Sequence, residues 1–211
     1  MPTTIKGIWK EAWGSPVKRS RLIIIIVLIP VFIFSLPYFF NYIEKRQGVV
    51  LNDLLLAQIP PHNISVLIFA IIWGMILLML YRSIHSPSIL ITYCLTLAVV
   101  TAVRITCIYL VPLNPPVGFI PLVDPISGVF YGEANITKDL FFSGHTATLV
   151  TIFLSLKRKT DRRIALIAVI TVAVSLLVQH IHYTIDILAA PVITYWCYCL
   201  TRFFLYKEPT T

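Results

Sequence analysis

Long apolar runs broken by short clusters of charge dominate the pattern along the chain. A helix needs about 20 mostly apolar residues to cross a bilayer. Six stretches fit or approach that template: roughly 22–43, 64–81, 89–111, 141–156, 164–181 and 184–206. The fourth is short. The fifth and sixth are separated by almost no loop, so the chain must turn sharply around His180 to Tyr183. The pattern predicts an all-α fold: a polytopic membrane bundle of six transmembrane helices.

Ahead of the first run, Ile5, Ile8, Trp9, Ala12 and Trp13 recur at helical spacing, with Lys6, Lys10 and Glu11 on the opposite face. Gly14 and Pro16 are placed to end that helix. An amphipathic segment of this kind is expected to lie flat at the membrane surface, its tryptophans at headgroup level. The run after Lys18, Arg19 and Arg21 is too long for a signal-peptide core and has no small-residue cleavage site, so it reads as a retained first span. Residues 1–21 then form a cytoplasmic interfacial segment, 22–206 one six-helix membrane domain, and 207–211 a cytoplasmic tail.

Composition strengthens this picture. The 211 residues are 58% hydrophobic and 12% charged, against about 25% charged in soluble domains. So few charges cannot wrap so apolar a core, and lipid must act as the outer solvent. The formal charge of +8 is spread over the ends of apolar runs, which argues against nucleic-acid binding. Lys6, Lys10, Lys18, Arg19, Arg21, Arg82, the cluster Lys157 to Arg163, Arg202 and Lys207 share one side of a six-span chain; Lys45, Arg46 and Lys138 lie on the other. The positive-inside rule puts both termini in the cytoplasm. Cys94, Cys107, Cys197 and Cys199 lie within apolar runs, where thiols act as small hydrophobes, and Cys197 and Cys199 make a poor metal pair.

The long loop at about 112–138 carries Pro112, Pro115, Pro116, Pro121 and Pro125, a stiff stretch suited to a wall or lid and equally to a plain connector. Asn63-Ile64-Ser65 and Asn135-Ile136-Thr137 on the same side fit the glycosylation sequon.

Ionisable side chains near hydrocarbon cost about 2.5–3.5 kcal/mol each on insertion scales, so their positions are informative. Arg104, Asp139 with His145, His180 with His182, and Asp186 all fall at the non-cytoplasmic face of the orientation above. In Asp139-Leu-Phe-Phe-Ser143-Gly144-His145-Thr146, Ser143 and Thr146 suit a helix start, where free N–H groups and the dipole attract anions. Gly144 would let an oxyanion approach the backbone, and His145 could pass a proton to a leaving oxygen or be an ordinary interfacial histidine. In His182-Tyr183-Thr184-Ile185-Asp186, His and Asp four apart share a helix face. The carboxylate can fix the Nδ1–H tautomer and leave Nε2 as nucleophile or base; a structural pair or half a metal site is the alternative. No further ligands have metal spacing, and neither metal nor cofactor is required. His180 lies two residues off that face; His62 and His85 are loop histidines.

Ser-Gly-His-Thr with an Asp four residues before the Ser, followed by His-Tyr-Thr-x-Asp, resembles the sphingomyelin synthase and related sphingolipid synthase branch of the type 2 phosphatidic acid phosphatase superfamily. Arg104-Ile-Thr-Cys-Ile-Tyr109 before a proline-rich exit resembles that branch's third-span motif more loosely. The resemblance covers roughly residues 64–206. It implies a catalytic triad of His145, His182 and Asp186, with Arg104 on the phosphate beside Ser143, Gly144 and Thr146. Asp139, Tyr109, Tyr183 and Thr184 would support the site.

Thr137-Lys138 stands where Cys-Gly usually precedes the Asp, and Phe142 where the phosphatase branch has Pro. The phosphatases' Lys-x6-Arg-Pro element is missing, and Ser175-Leu176 replaces their Ser-Arg. These departures favour the synthase branch and leave Arg104 as the main phosphate cation, with Lys138 as a possible second. The expected activity is transfer of a phosphate-containing headgroup from a phospholipid to a ceramide-like or diacylglycerol-like alcohol, at the periplasmic, lumenal or extracellular face. A lipid phosphate phosphatase, with water as acceptor, is the competing enzyme. A transporter or scaffold would need a polar path through the bilayer midplane, where this chain has no cluster of charge. The sequence does not specify an oligomeric state.

Overall fold

The computed structural model describes residues 4–122 and 136–206. Pro125, Asn135 and the tail 207–211 lie outside the described residues. Among the described residues seven α-helices follow in order: α1 Ile5–Gly14, α2 Pro16–Glu44, α3 Ser65–Ile84, α4 Pro87–Leu110, α5 Gly144–Ser155, α6 Lys159–Val178 and α7 Thr184–Tyr206. A single 3-10 turn, Leu56–Gln58, interrupts the loop after α2. Among the described residues extended pairing is limited to one isolated bridge, Val49 with Leu113.

Buried positions explain the packing. On α3 they are Ser65, Ile68, Phe69, Ile72, Met75, Met79 and Ser83, and on α6 Asp161, Ala165, Ala168, Val172, Ser175 and Leu176. Both sets keep the i, i+3, i+4 rhythm of one helix face. The short α5 is central, packing on α3, α4, α6 and α7, and its Leu149 and Ile152 are fully buried in the main core. By contrast α2 buries only Leu22, Ile25 and Ile43 of its 29 residues. Its broad apolar surface fits contact with lipid tails, and its internal Pro30 and Pro37 are of the kind membrane helices tolerate.

Among the described residues four helices are long and apolar enough to cross a membrane: α2, α3, α4 and α7. They fit an integral membrane protein. The six expected spans are thus met in four. At 12 residues, α5 is about 18 Å long, short of a hydrocarbon core about 30 Å thick. Helix α6 begins with Lys159, Asp161, Arg162 and Arg163, whose charges interrupt its apolar length.

The chain alternates in direction, so the first turns of α3, α5 and α7 share one end of the bundle, here the site end, with the last turns of α2, α4 and α6. The other end is fastened by side chains. Arg82 grips buried Asp161 through Nε–Oδ2 at 2.7 Å and Nη2–Oδ1 at 3.0 Å, joining α3 to α6. Arg21 donates to the Leu205 carbonyl, tying α2 to α7. Trp9 donates its indole N–H to the Ile84 carbonyl at 2.9 Å. The amphipathic segment therefore docks on the bundle through Trp9 and buried Ala12, while Trp13 is exposed. It ends at Gly14 as expected, and Pro16, in the first turn of α2, starts the next helix.

Removing one member of a partly buried bidentate pair strands the other. Asp161→Ala is expected to destabilise the bundle, read as a lower melting temperature in detergent. An unchanged melting temperature would show that the pair contributes nothing net.

Candidate active site

The start of α5 is built by its own sequence. Ser143 is the N-cap, its hydroxyl accepting from the Thr146 amide at 3.4 Å and donating to the Thr146 hydroxyl at 3.1 Å. Both residues are buried. This places His145 in the first turn, half-buried, its ring edge-on to Phe69 of α3 with centroids 6.2 Å apart.

The second half comes from the turn between α6 and α7. The amides of His180 and Ile181 return to the carbonyls of Leu177 and Leu176 at 3.0 Å each, the paired bonds of a Schellman closure. Its left-handed position is held by His180, φ 55°, where glycine is usual. Two contacts hold this histidine there: Nδ1 meets the Val117 carbonyl at 2.7 Å and Nε2 the Ile59 carbonyl at 2.8 Å. His180 therefore staples both site-end loops to the turn. Gly118, φ +81°, is required beneath it, because a Cβ there would lie 3.0 Å from His180 Nδ1.

Beyond the turn, the Asp186 carboxylate reaches back to the Tyr183 amide at 3.1 Å, as an acid at the third helical position does in a capping box. The same oxygen lies 3.4 Å from His182 Nδ1, and both side chains are almost wholly buried. Among the described residues His182 Nδ1 and Asp186 Oδ1 have no hydrogen-bond partner. A catalytic role is one physical reason for leaving buried polar atoms so, and catalytic bonds are commonly long before substrate binds.

One backbone bond joins the halves: the Ser143 amide donates to the Asp186 carbonyl at 3.2 Å. Two helix N-termini with their histidines thus meet side by side. Arg104 of α4 closes the group. Its Nε donates to the Phe142 carbonyl at 2.8 Å and its Nη2 to Asp139 at 2.7 Å, and the guanidinium stands 6.0 Å from the Phe142 ring centroid. A Cβ on Gly144 would fall 2.6 Å from Arg104 Nη1. Glycine here makes room for the guanidinium against the backbone, where the sequence suggested room for an oxyanion.

Other expected residues lie elsewhere or do other work. The Tyr183 hydroxyl donates to the Asn114 carbonyl at 2.9 Å and accepts from the Leu51 amide at 3.1 Å, bracing the loops. Thr184 gives its amide and hydroxyl to Asp53 at 2.6 and 3.0 Å. Tyr109 is a correction: its exposed ring stacks on Tyr42 with centroids 6.3 Å apart. Five residues after Arg104, it points about 140° around the helix from it. Lys138 is another, since its ammonium bonds the carbonyls of Glu44, at 3.0 Å, and Arg46 rather than reaching the site.

Sequence reasoning missed three supports. Asp53 caps α7. Gln179, fully buried, accepts from the Ile64 amide at 3.1 Å and donates to Ser65 at 2.8 Å and to the Ile120 and Pro121 carbonyls. Glu44 accepts from Thr137 and Lys138. The signal available for all three was a lone polar residue at a helix end or in a short loop. A cavity of about 640 Å³ lies between the loops and the turn, bounded by Asp53, Ile59, Val117, Gly118, His180 and Tyr183. Among the described residues no group of three His, Cys, Asp or Glu side chains is placed to hold a metal ion.

The class these features define is an integral membrane helical protein with a buried His–Asp pair, a second histidine at an adjoining helix start and an arginine beside them. Residues 138–203, about a third of the chain, match the family model described as PAP2 superfamily C-terminal. The match supports the type 2 phosphatidic acid phosphatase superfamily, whose members are generally phosphatases or phosphotransferases. No curated protein matches the chain significantly.

Burial by itself would raise the Asp53 carboxyl, but the amides of Thr184, Leu56 and Leu55 and the Thr184 hydroxyl outweigh it and hold the group below 3.8. A depressed folded value means the carboxylate stabilises the fold above that pH, and the contribution fades as pH falls through the lower folded value. Asp53→Ala is expected to cost about 1 kcal/mol at neutral pH, as for loss of a helix cap, with the deficit shrinking in acid below 3.8. Thermal melts across pH check this, and a deficit that grows in acid would contradict it.

Proposed function

We propose that this protein is a membrane lipid phosphotransferase, similar to the sphingomyelin synthases, that moves a phosphate-containing headgroup from a phospholipid to a ceramide-like or diacylglycerol-like alcohol. The observation that carries the reading is the docking of Ser143 on Asp186, which sets His145 and the His182–Asp186 pair on adjoining helix starts beside Arg104.

In this reading Asp186 holds the Nδ1–H of His182 and leaves Nε2 for reaction. Nε2 attacks phosphorus, the bond from phosphorus to the diacylglycerol oxygen breaks, and His145 protonates that oxygen as it leaves. The acceptor hydroxyl then attacks the phosphohistidine, loses its proton to His145 and displaces His182. Alternatively, His182 acts as base for direct attack by the acceptor. Arg104 and the two helix starts carry the phosphoryl charge, and alignment with charge stabilisation is what this chemistry mostly requires. Asp139 orients Arg104.

The same machinery would serve a lipid phosphate phosphatase with water as acceptor; the missing Lys-x6-Arg-Pro element and second arginine support the synthase reading. Six membrane-embedded helices, with the shorter α5 and the charge-tipped α6 packed among the four long apolar ones, suit a single domain over 22–206 flanked by an interfacial segment over 1–21 and a tail over 207–211. The basic residues at the end away from the site support cytoplasmic termini and a site on the opposite, periplasmic, lumenal or extracellular face.

Purified protein in vesicles of headgroup-labelled phospholipid, with and without ceramide or diacylglycerol, tests the proposal. Label is expected on the acceptor only when acceptor is present; free phosphate or headgroup phosphate without acceptor would favour the phosphatase. His182→Ala should remove turnover, and His145→Ala should lower it about 10²–10⁴-fold; full activity in the His182 variant would refute the assignment. Gly144→Ala pushes directly on the guanidinium, so turnover should fall roughly 10²-fold, the scale of a 1 Å misplacement, with little change in melting temperature. Wild-type turnover in that variant would show that Arg104 need not sit there.

A further inference from the structure

We propose that Glu44, the last residue of α2, is a positioning residue that fixes Arg104 through the segment leading into α5; this rests on the reading of Arg104 as the phosphate ligand. The Glu44 carboxylate collects three donors from two consecutive residues. Oε1 accepts from the amides of Thr137 at 2.6 Å and Lys138 at 2.7 Å, and Oε2 from the Thr137 hydroxyl at 2.9 Å. The next residue is Asp139, whose carboxylate holds Arg104 Nη2, and three further on the Phe142 carbonyl holds Arg104 Nε. Residues 137–142 therefore carry both anchors of the guanidinium. They are pinned behind by the Ser143 cap and in front by Glu44.

Glu44 is not needed to hold its own helix. The end of α2 is attached to α4 and the following strand-like segment by other bonds. Arg46 donates to the Tyr109 and Ile108 carbonyls at 2.8 Å each. Val49 pairs with Pro112 and Asn114 through backbone bonds of 3.0 Å, and the Asn114 amide group bonds the Gly48 carbonyl at 2.8 Å. With these in place, among the described residues the Glu44 carboxylate bonds residues 137 and 138 alone. Lys138, its ammonium turned to the Glu44 and Arg46 carbonyls, adds a second tie from the same segment to the same helix end. The otherwise lipid-facing α2 thus reaches the chemistry through one carboxylate. A charge-assisted acceptor is suited to this, since such bonds are roughly twice as strong as neutral ones and hold shorter distances.

The test compares Glu44→Ala, Glu44→Gln and Asp139→Ala, singly and combined, in the vesicle transfer assay. Glu44→Ala is expected to lower turnover about tenfold while the melting temperature stays close to wild type. Glu44→Gln should recover most of the activity. Its amide oxygen can accept both backbone N–H groups, and its NH₂ can donate to the Thr137 hydroxyl, which reverses its role. In the Asp139→Ala background, removing Glu44 should cost clearly less than the tenfold it costs alone, because one of the two anchors on Arg104 is already gone. If Glu44→Ala does not accumulate in membranes, Glu44→Asp replaces it, with the charge kept and the reach shortened, and the same loss is expected. Wild-type turnover in Glu44→Ala or in Glu44→Asp, or losses that multiply with that of Asp139→Ala, would overturn the inference while leaving the transferase reading intact. A wild-type protein that neither transfers headgroup nor releases phosphate would instead overturn the underlying reading, and this inference with it.

Discussion

The architecture turns on a single close approach: the amide of Ser143, at the start of α5, meets the carbonyl of Asp186, in the first turn of α7. Helix starts carry unpaired N–H groups and partial positive charge, so two of them side by side would repel without something between. The buried Asp186 carboxylate lies at the second of these starts, where it bonds the Tyr183 amide and faces His182. That one residue caps its own helix with its side chain, stands 3.4 Å from the His182 imidazole nitrogen and docks the neighbouring helix through its backbone.

Around this contact the site end is stitched by polar side chains beside a small apolar cluster of Leu56, Leu113, Leu140 and Tyr183. Gln179 and His180 bind both loops to the α6–α7 turn, Asp53 caps α7, and Glu44 holds the approach to α5. The end away from the site relies on Arg82–Asp161 and on Trp9. Between them lies an apolar core centred on α5. Rigidity at the reacting level is what a reaction governed by alignment needs.

Much of this was legible from periodicity. The apolar runs located α2, α3, α4 and α7, and the sharp turn at His180 to Tyr183 appeared where the runs nearly touched. His182 and Asp186 do meet, but His182 lies in the turn before α7 and the two approach across that turn rather than along one helix face; Ser143 and Thr146 read correctly as a helix start. Periodicity could not show that Pro16 begins a helix continuous with the first span, because Pro suits both the end of one helix and the first turn of the next. Nor could it reveal Asp53, Gln179 and Glu44, whose partners are loop amides and carbonyls that leave no pattern in sequence. Tyr109 misled because a motif gives order along the chain, whereas five residues on a helix rotate it off the Arg104 face. Gly144 looked like space for a ligand when its neighbour was an arginine from another helix.

The central claim is that residues from α4, α5 and α7 form one oxyanion site. Titrating vanadate into the purified protein by calorimetry tests it without knowledge of the lipid. The account predicts one saturable site per chain, lost or severely weakened in both Arg104→Ala and His182→Ala. Vanadate binding that survives either substitution unchanged would mean that these helices do not build a common site.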